Sequence, residues 1–343
     1  MLTDTLRRID VQVGRINTHP EYSQCVSHEV RAALGNDAAR HSIEIELLSE
    51  EGKGKPCKNN GMSEERKRQL VMENESRLNQ CWRELGKYGL TLTTLNGLGH
   101  ILEPTVHPHR NFRDTHVLFG QFEGSPPGVV LNHVDNFLWS LENSKLHPVC
   151  RAAEAHLGLV AIHPYADGNG RIARLIQNFC LAQISYPPAI IPVCDKGLYL
   201  YLLGDSLTER ADNISKIYQP GKSDERFHEF IASKVLASAE HLESALQTRR
   251  IYDVELTHCR DAGIVYSVAN RVRGLARGGR SDGIHVTVDK SNGGRKGSNI
   301  KVIGDISTDE LRSIFDSSSK KYGFNYRLTP RTGCVNHSAQ IHK

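Results

Sequence analysis

The sequence predicts a mainly α protein: a helical bundle interrupted by one β-hairpin and followed by a small α/β appendage. Three observations predict it. Apolar residues recur at three- and four-residue spacing from about residue 21 to about residue 247, as on the buried face of a helix. That periodicity breaks over 107–127, where alternating apolar residues run into Ser125-Pro126-Pro127-Gly128. Beyond residue 251 the pattern changes again, with alternating apolar residues on either side of Asn292-Gly293-Gly294, a hairpin-turn composition. The expected organisation is an N-terminal helical region over 1–105, a core with the hairpin over 106–250 and a small basic α/β domain over 251–343.

Each element has its own justification. Residues 21–48 carry Val26, Val30, Leu34, Ala38, Ile43 and Ile45 at mixed helical spacing and read as one or two helices, with Gly35-Asn36 as the candidate break. The polar, glycine-rich stretch 49–61 reads as a surface connector. Ser63 before Glu64-Glu65 is an N-cap signal for a helix reaching about residue 87. Leu92, Leu95, Leu98 and Leu102 form the next stripe, and Val130, Val134, Phe137 and Leu141 the one after the hairpin. An alanine-rich helix over 147–161 leads into His163. Ile172, Leu175, Ile176, Phe179 and Leu181 mark a further helix, stopped by Pro187-Pro188. Amphipathic helices follow over 196–210 and 225–246, and a last one over 308–322.

Composition excludes several classes. The 343 residues allow one large or two unequal domains. With 38% hydrophobic and 24% charged residues the chain reads as soluble and globular, and a net charge of +4 is too mild to imply nucleic acid or a membrane surface. No run of about twenty uncharged apolar residues appears, and the first eight residues lack a signal-peptide core, so no membrane partner is expected. The eight cysteines are scattered without a C-x-x-C pair, which fits reduced thiols and a cytoplasmic location.

The chemistry concentrates in His163-Pro-Tyr-Ala-Asp-Gly-Asn-Gly-Arg-Ile-Ala-Arg174. Gly168-Asn169-Gly170 marks a sharp turn opening a helix, where free amides and the positive end of the dipole favour an anion. Successive amides there form a nest suited to phosphate. Arg171 and Arg174, three apart, share a helix face and suit a polyanion. Asp167 is a hard oxygen ligand suited to Mg²⁺, and His163 is a titratable base just upstream. Base, metal ligand, phosphate nest and guanidinium groups in one run describe phosphate transfer.

This run resembles the Fic family signature H-x-F-x-D/E-G-N-G-R-x-x-R, with Tyr165 in place of the usual Phe. The wider layout, from about residue 29 to 246, looks similar too, which implies a Fic-type helical bundle with a hairpin flap. The resemblance implies transfer of AMP from ATP, with Mg²⁺, to an exposed Tyr, Ser or Thr hydroxyl of a protein substrate. His163 is then the base and Asp167 the Mg²⁺ ligand. Gly168, Asn169 and Gly170 supply phosphate-binding amides, and Arg171 and Arg174 bind the β- and γ-phosphates. The intact Gly170-Arg171 step separates the chain from Doc-type relatives, which act as kinases. The family often carries an aromatic pair beside the adenine; Tyr199 stands at the first place and Leu200 at the second, with Tyr201 as the candidate substitute. Phe112, Arg113, Val117 and Phe119 resemble the flap, which docks a target by strand addition or merely covers the core. Ser42-Ile-Glu-Ile-Glu46 resembles an inhibitory helix whose Glu46 pairs with Arg174 in the place of the γ-phosphate; the alternative is an exposed charge, since Leu47 replaces the usual Gly/Asn. Removal of AMP by the same pocket, self-modification and a homodimer are left open. So is a non-enzymatic module acting through 251–343, where helix-then-hairpin with basic residues suggests either a winged-helix-like nucleic-acid binder or, the favoured reading, a packing module.

Overall fold

A computed structural model describes residues 2–18, 24–48, 63–212, 217–248, 250–257, 262–276, 285–289, 298–304 and 306–331. The expected connector 49–61, Arg277, Arg280 and the Asn292-Gly-Gly turn lie outside the described residues. The chain divides into two compact units, Met1–Arg15 with Arg31–Glu240, and Ile16–Val30 with His241–Lys343. None of the described helices is long and apolar enough to cross a membrane.

The first unit is helical. Its elements are α1 (Leu2–Thr18), α2 (Gln24–Ile43) with a π-helical turn at Glu44–Leu48, α3 (Glu64–Tyr88), α4 (Leu92–Leu102), α5 (Val130–Glu142), α6 (Pro148–Ile162), α7 (Asn169–Gln183), α8 (Lys196–Ala211) and α9 (Asp224–Thr248). Caps set several starts. The Ser63 hydroxyl accepts from Arg66 N–H and opens α3, and Thr91 does the same for α4 through Thr94 N–H. Gly89 ends α3 at a positive φ of 75°. The chain leaves α7 at Gln183, ahead of Pro187-Pro188, through Ser185 at φ 63°. Helix α6 is buried along nearly its whole length; most of it is apolar or small, and its buried Glu154 and His156 are paired inside the bundle. Gly158 lets the Phe137 ring of α5 sit against its backbone, because a Cβ there would overlap that ring. Helix α1 was not expected from the sequence; it packs Leu2, Leu6, Ile9 and Val13 on the main core.

Between α4 and α5 the expected hairpin is present but short: β1 (Leu118–Phe119) pairs antiparallel with β2 (Phe122–Glu123). Gly120 occupies the first turn position at φ 64°, which a two-residue hairpin turn favours.

The second unit runs β3 (Arg250–Thr257), α10 (Ala262–Ala276), β4 (His285–Asp289), β5 (Ser298–Gly304), α11 (Thr308–Tyr322) and β6 (Asn325–Arg331). The sheet order is β4-β5-β3-β6, antiparallel throughout, the βαββαβ ferredoxin-like arrangement. Tyr252, Val254, Leu256, Ile300 and Val302 pack on one face against Val265, Val268, Leu311 and Phe315 of the helices. A capping box of Ser307 and Glu310 opens α11. This topology replaces the winged-helix-like alternative, because the expected hairpin is half of a four-stranded sheet. Alternation places Asp253, Glu255, Asn299, Lys301 and Arg327 on the opposite face, with Asp253 across from Lys301 and Glu255 across from Arg327. Among the described residues on β3 and β5 that face offers no aromatic ring for stacking bases.

Candidate active site

The site is built where α6 hands the chain to α7. Helix α6 ends at His163, which adopts left-handed backbone geometry (φ 55°, ψ 58°), a conformation uncommon outside glycine. His163 Nδ1–H donates to Val160 O at 3.2 Å, so Nε2 carries the lone pair. The Phe119 ring of the hairpin stacks on the imidazole with centroids 3.9 Å apart and planes within 6°. Burial pushes the His163 pKa down to about 4, assisted by the Arg113 charge and opposed by the Val160 hydrogen bond, which keeps the ring neutral at physiological pH.

The loop from His163 to α7 is braced from inside. The Tyr165 ring fills a fully buried slot, and its hydroxyl donates to Leu95 O at 2.5 Å. Asn169 clamps the turn, accepting from Tyr165 N–H and donating to Tyr165 O. Gly168 holds φ 87° beside the Leu102 side chain, and its carbonyl accepts the first helical bond, from Ile172 N–H. The N–H groups of Asn169, Gly170 and Arg171 therefore have no acceptor within the helix and point out of its N-terminus.

The two arginines have different surroundings. Arg171 is 2% exposed, and its Nη1 donates at 2.6 Å to both Asn74 of α3 and Glu103 beyond α4. Its Nη2 lies 3.5 Å from Asp167 Oδ1. It therefore braces the loop from beneath. Arg174 is also buried, and Nε donates to the Ser42 hydroxyl at 2.8 Å while Nη2 reaches Ser42 O and Glu46 Oε1, the latter at 2.8 Å. Glu46 stands on the π-helical turn after α2. Its Oε1 lies so close over Gly170 that any Cβ there would collide with it. A carboxylate thus lies over Gly170 at the start of α7. Burial disfavours the charged carboxylate, but the Arg174 charge and hydrogen bond outweigh it and hold the Glu46 pKa below the usual range.

Asp167 is the open carboxylate of the loop, with half its side chain exposed. Its Oδ1 accepts from Gly168 N–H at 2.6 Å. The buried His107 ring backs the loop, with Nε2 accepting from Asp167 N–H.

Several expected residues sit elsewhere. Tyr199 does not stand open as a wall for adenine: it is 2% exposed, and its hydroxyl meets Arg174 Nη1 and His156 Nε2, each at 3.0 Å. Tyr201 is exposed, with the Arg226 guanidinium over its ring. Phe112 and Arg113 do not present a docking surface. Phe112 is buried against Tyr165, and the Arg113 guanidinium is spent on the carbonyls of His163, Thr115, Ser125 and Ile162, tying the hairpin base to the catalytic loop. Val117 is half-buried at the hairpin mouth and Leu118 is highly exposed. Asn74, Glu103, His107, His156 and Gln177 escaped the sequence reading. A signal existed for His156, which lies seven residues before His163 and so on the same helix face.

The helical bundle with its hairpin and its glycine-rich helix start belongs to a recognised fold. A Fic domain-containing signalling protein from Bacteroides thetaiotaomicron superposes with a TM-score of 0.55 at 20% identity, over 69% of this chain and 96% of that one. Fic-1 from C. elegans gives 0.53 at 22%, over 72% and 73%. These likenesses establish the fold class. At the sequence level, the pattern described as the Fic/DOC family matches residues 90–181. The chain is 41% identical over 95 residues to the protein adenylyltransferase Fic of Drosophila grimshawi, and 42% identical over the same length to that of Drosophila willistoni. Each match covers 27% of this chain and about a fifth of the relative's length (20% and 19%). The region similar to the Fic/DOC family, residues 90–181, is the one that carries His163, Asp167, Arg171 and Arg174.

Proposed function

We propose that the protein is an adenylyltransferase that moves AMP from ATP to a hydroxyl of a protein and is held off by Glu46. The observation that carries this reading is the Glu46 carboxylate seated on Gly170 and paired with Arg174. It marks the α7 N-terminus as an anion site and names the group that fills it. Relatives named protein adenylyltransferase support the chemistry. The neutral His163 imidazole takes the proton from an incoming Tyr, Ser or Thr hydroxyl at Nε2. The amides at the start of α7 stabilise charge on phosphate oxygens, and Arg174 binds the terminal phosphate once Glu46 withdraws. Arg171, engaged through Nη1 by Asn74 and Glu103, holds Asp167 and the loop in place. Asp167 fits Mg²⁺: it is half-exposed, one oxygen is engaged by the Gly168 amide, and Mg²⁺ commonly takes one or two carboxylates together with substrate phosphates. When bound, the ion neutralises charge on the phosphates.

The test is mass spectrometry of cell lysate incubated with the protein and Mg-ATP. The expected result is an AMP adduct on a protein hydroxyl that disappears with His163→Ala. No adduct with the wild type or with Glu46→Gly would overturn the reading.

A further inference from the structure

We propose that Tyr199 and His156 are positioning residues for Arg174: they hold its Nη1 and so fix the guanidinium beside Gly170, and thereby set selectivity for a triphosphate. The inference rests on the adenylyltransferase reading and deepens it.

The geometry is a directed chain. Gln177 Oε1 accepts hydrogen bonds only, and it lies 2.9 Å from His156 Nδ1, so the proton sits on Nδ1. His156 Nε2 then accepts from the Tyr199 hydroxyl at 3.0 Å. The same hydroxyl oxygen accepts from Arg174 Nη1 at 3.0 Å. All four residues are buried, and His156 and Gln177 completely so. Burial, reinforced by the Arg174 charge, pushes the His156 pKa down to about 3, so the imidazole remains a neutral acceptor. A long guanidinium side chain loses much rotamer freedom when bound to a ligand. Here that freedom is removed beforehand: the Ser42 hydroxyl holds Nε and Tyr199 holds Nη1. Removing Glu46 leaves both anchors in place, with Nη1 still beside Gly170 and Nη2 released from its carboxylate partner.

The test uses the full chain with Glu46→Gly, which opens the seat, and compares ATP with ADP by calorimetric titration and by KM and kcat of labelling. Tyr199→Phe removes one oxygen and keeps the ring. His156→Phe keeps an aromatic ring against Phe227, whose centroid lies 5.2 Å away. Tyr199→Phe is expected to weaken ATP binding and raise KM for ATP roughly tenfold, the worth of one hydrogen bond to a charged group, and His156→Phe, which removes only the neutral bond behind it, about threefold, with ADP affinity and kcat within about twofold for both. The double variant replaces both polar partners by apolar ones and should regain stability lost by either single change, yet keep the tenfold defect. Unchanged ATP affinity, or equal losses for ATP and ADP, would overturn the positioning role. Arg174→Ala separates the two claims. If it too leaves the ATP-to-ADP preference unchanged, Arg174 does not read the terminal phosphate, and the functional reading fails with it. If it abolishes the preference while Tyr199→Phe does not, only the positioning role fails.

Discussion

Replacing Glu46 with glycine should switch the protein on, and the size of the gain follows from the contact that is lost. Glu46 Oε1 accepts from Arg174 Nη2 at 2.8 Å, a charge-assisted bond of a kind worth about 1.5–3 kcal/mol net. Because 38% of the Glu46 side chain is accessible, solvent screening places the value at the lower end, about 1.5 kcal/mol. That corresponds to roughly a tenfold shift between blocked and open seats, and apparent ATP affinity scales with the open fraction. Glycine also loosens the π-helical turn by about 1 kcal/mol, so Glu46→Ala serves as the control without that cost. Glu46→Gln keeps the shape and a neutral hydrogen bond and should fall between alanine and wild type. Calorimetry measures ATP affinity, and radiolabelled ATP measures self-labelling. Equal affinity and labelling in wild type, Glu46→Ala and Glu46→Gly would show that the carboxylate is a structural brace and that the seat is not the nucleotide's.

Other consequences are measurable. His163→Ala should lower AMP transfer at least ~100-fold, and because burial holds the imidazole pKa down at about 4, the acid limb of the wild-type rate profile should lie below the ordinary histidine range. Arg113→Ala removes hydrogen bonds to four carbonyls, including His163 O, and should cost roughly 3 kcal/mol in denaturant titration while also reducing transfer. His228 lies in a buried cluster with Glu154, Arg210 and Asp224, its Nε2 2.6 Å from Glu154 Oε1. Burial disfavours the imidazolium there, but hydrogen bonds to Cys150 and Glu154 outweigh it and raise the pKa to about 9. The raised value means that its stabilisation is complete below the unfolded pKa of about 6.5 and is lost as pH rises through about 9. His228→Leu should therefore cost about 3 kcal/mol at pH 6, and the gap from wild type should narrow by pH 10 in scanning calorimetry.

Much of the first unit was legible because its signals are local. The Ser63 cap, the apolar stripes and the glycine-rich start of α7 depend on residues within one or two turns. Partner choice across the bundle was not legible. Nothing near Arg171 in the chain announces Asn74 or Glu103, 97 and 68 positions away. The arginine's type suggests phosphate, and only the folded bundle shows its contacts with Asn74 and Glu103. Tyr199 was misplaced for the same reason, since an aromatic at that spacing faces in or out according to what lies beneath it. Helix α1 carried a usable pattern, with Leu2, Leu6, Ile9, Val13 and Ile16 at four- and three-residue intervals. In the second unit, Tyr252, Val254 and Leu256 alternate as a strand should, whereas Pro330 argues against one in β6. That proline is tolerated because β6 lies at the sheet edge.

The winding of the segment that carries Glu46 has a mechanical meaning. A π turn accommodates one residue more than an α turn, and successive residues of an α-helix point about 100° apart. Rewinding Glu44–Leu48 would swing the Glu46 side chain sideways, away from Gly170, and break its bond to Arg174. Such a latch needs no hinge between lobes and no lost subunit: a few backbone bonds exchanged within five residues would lift it.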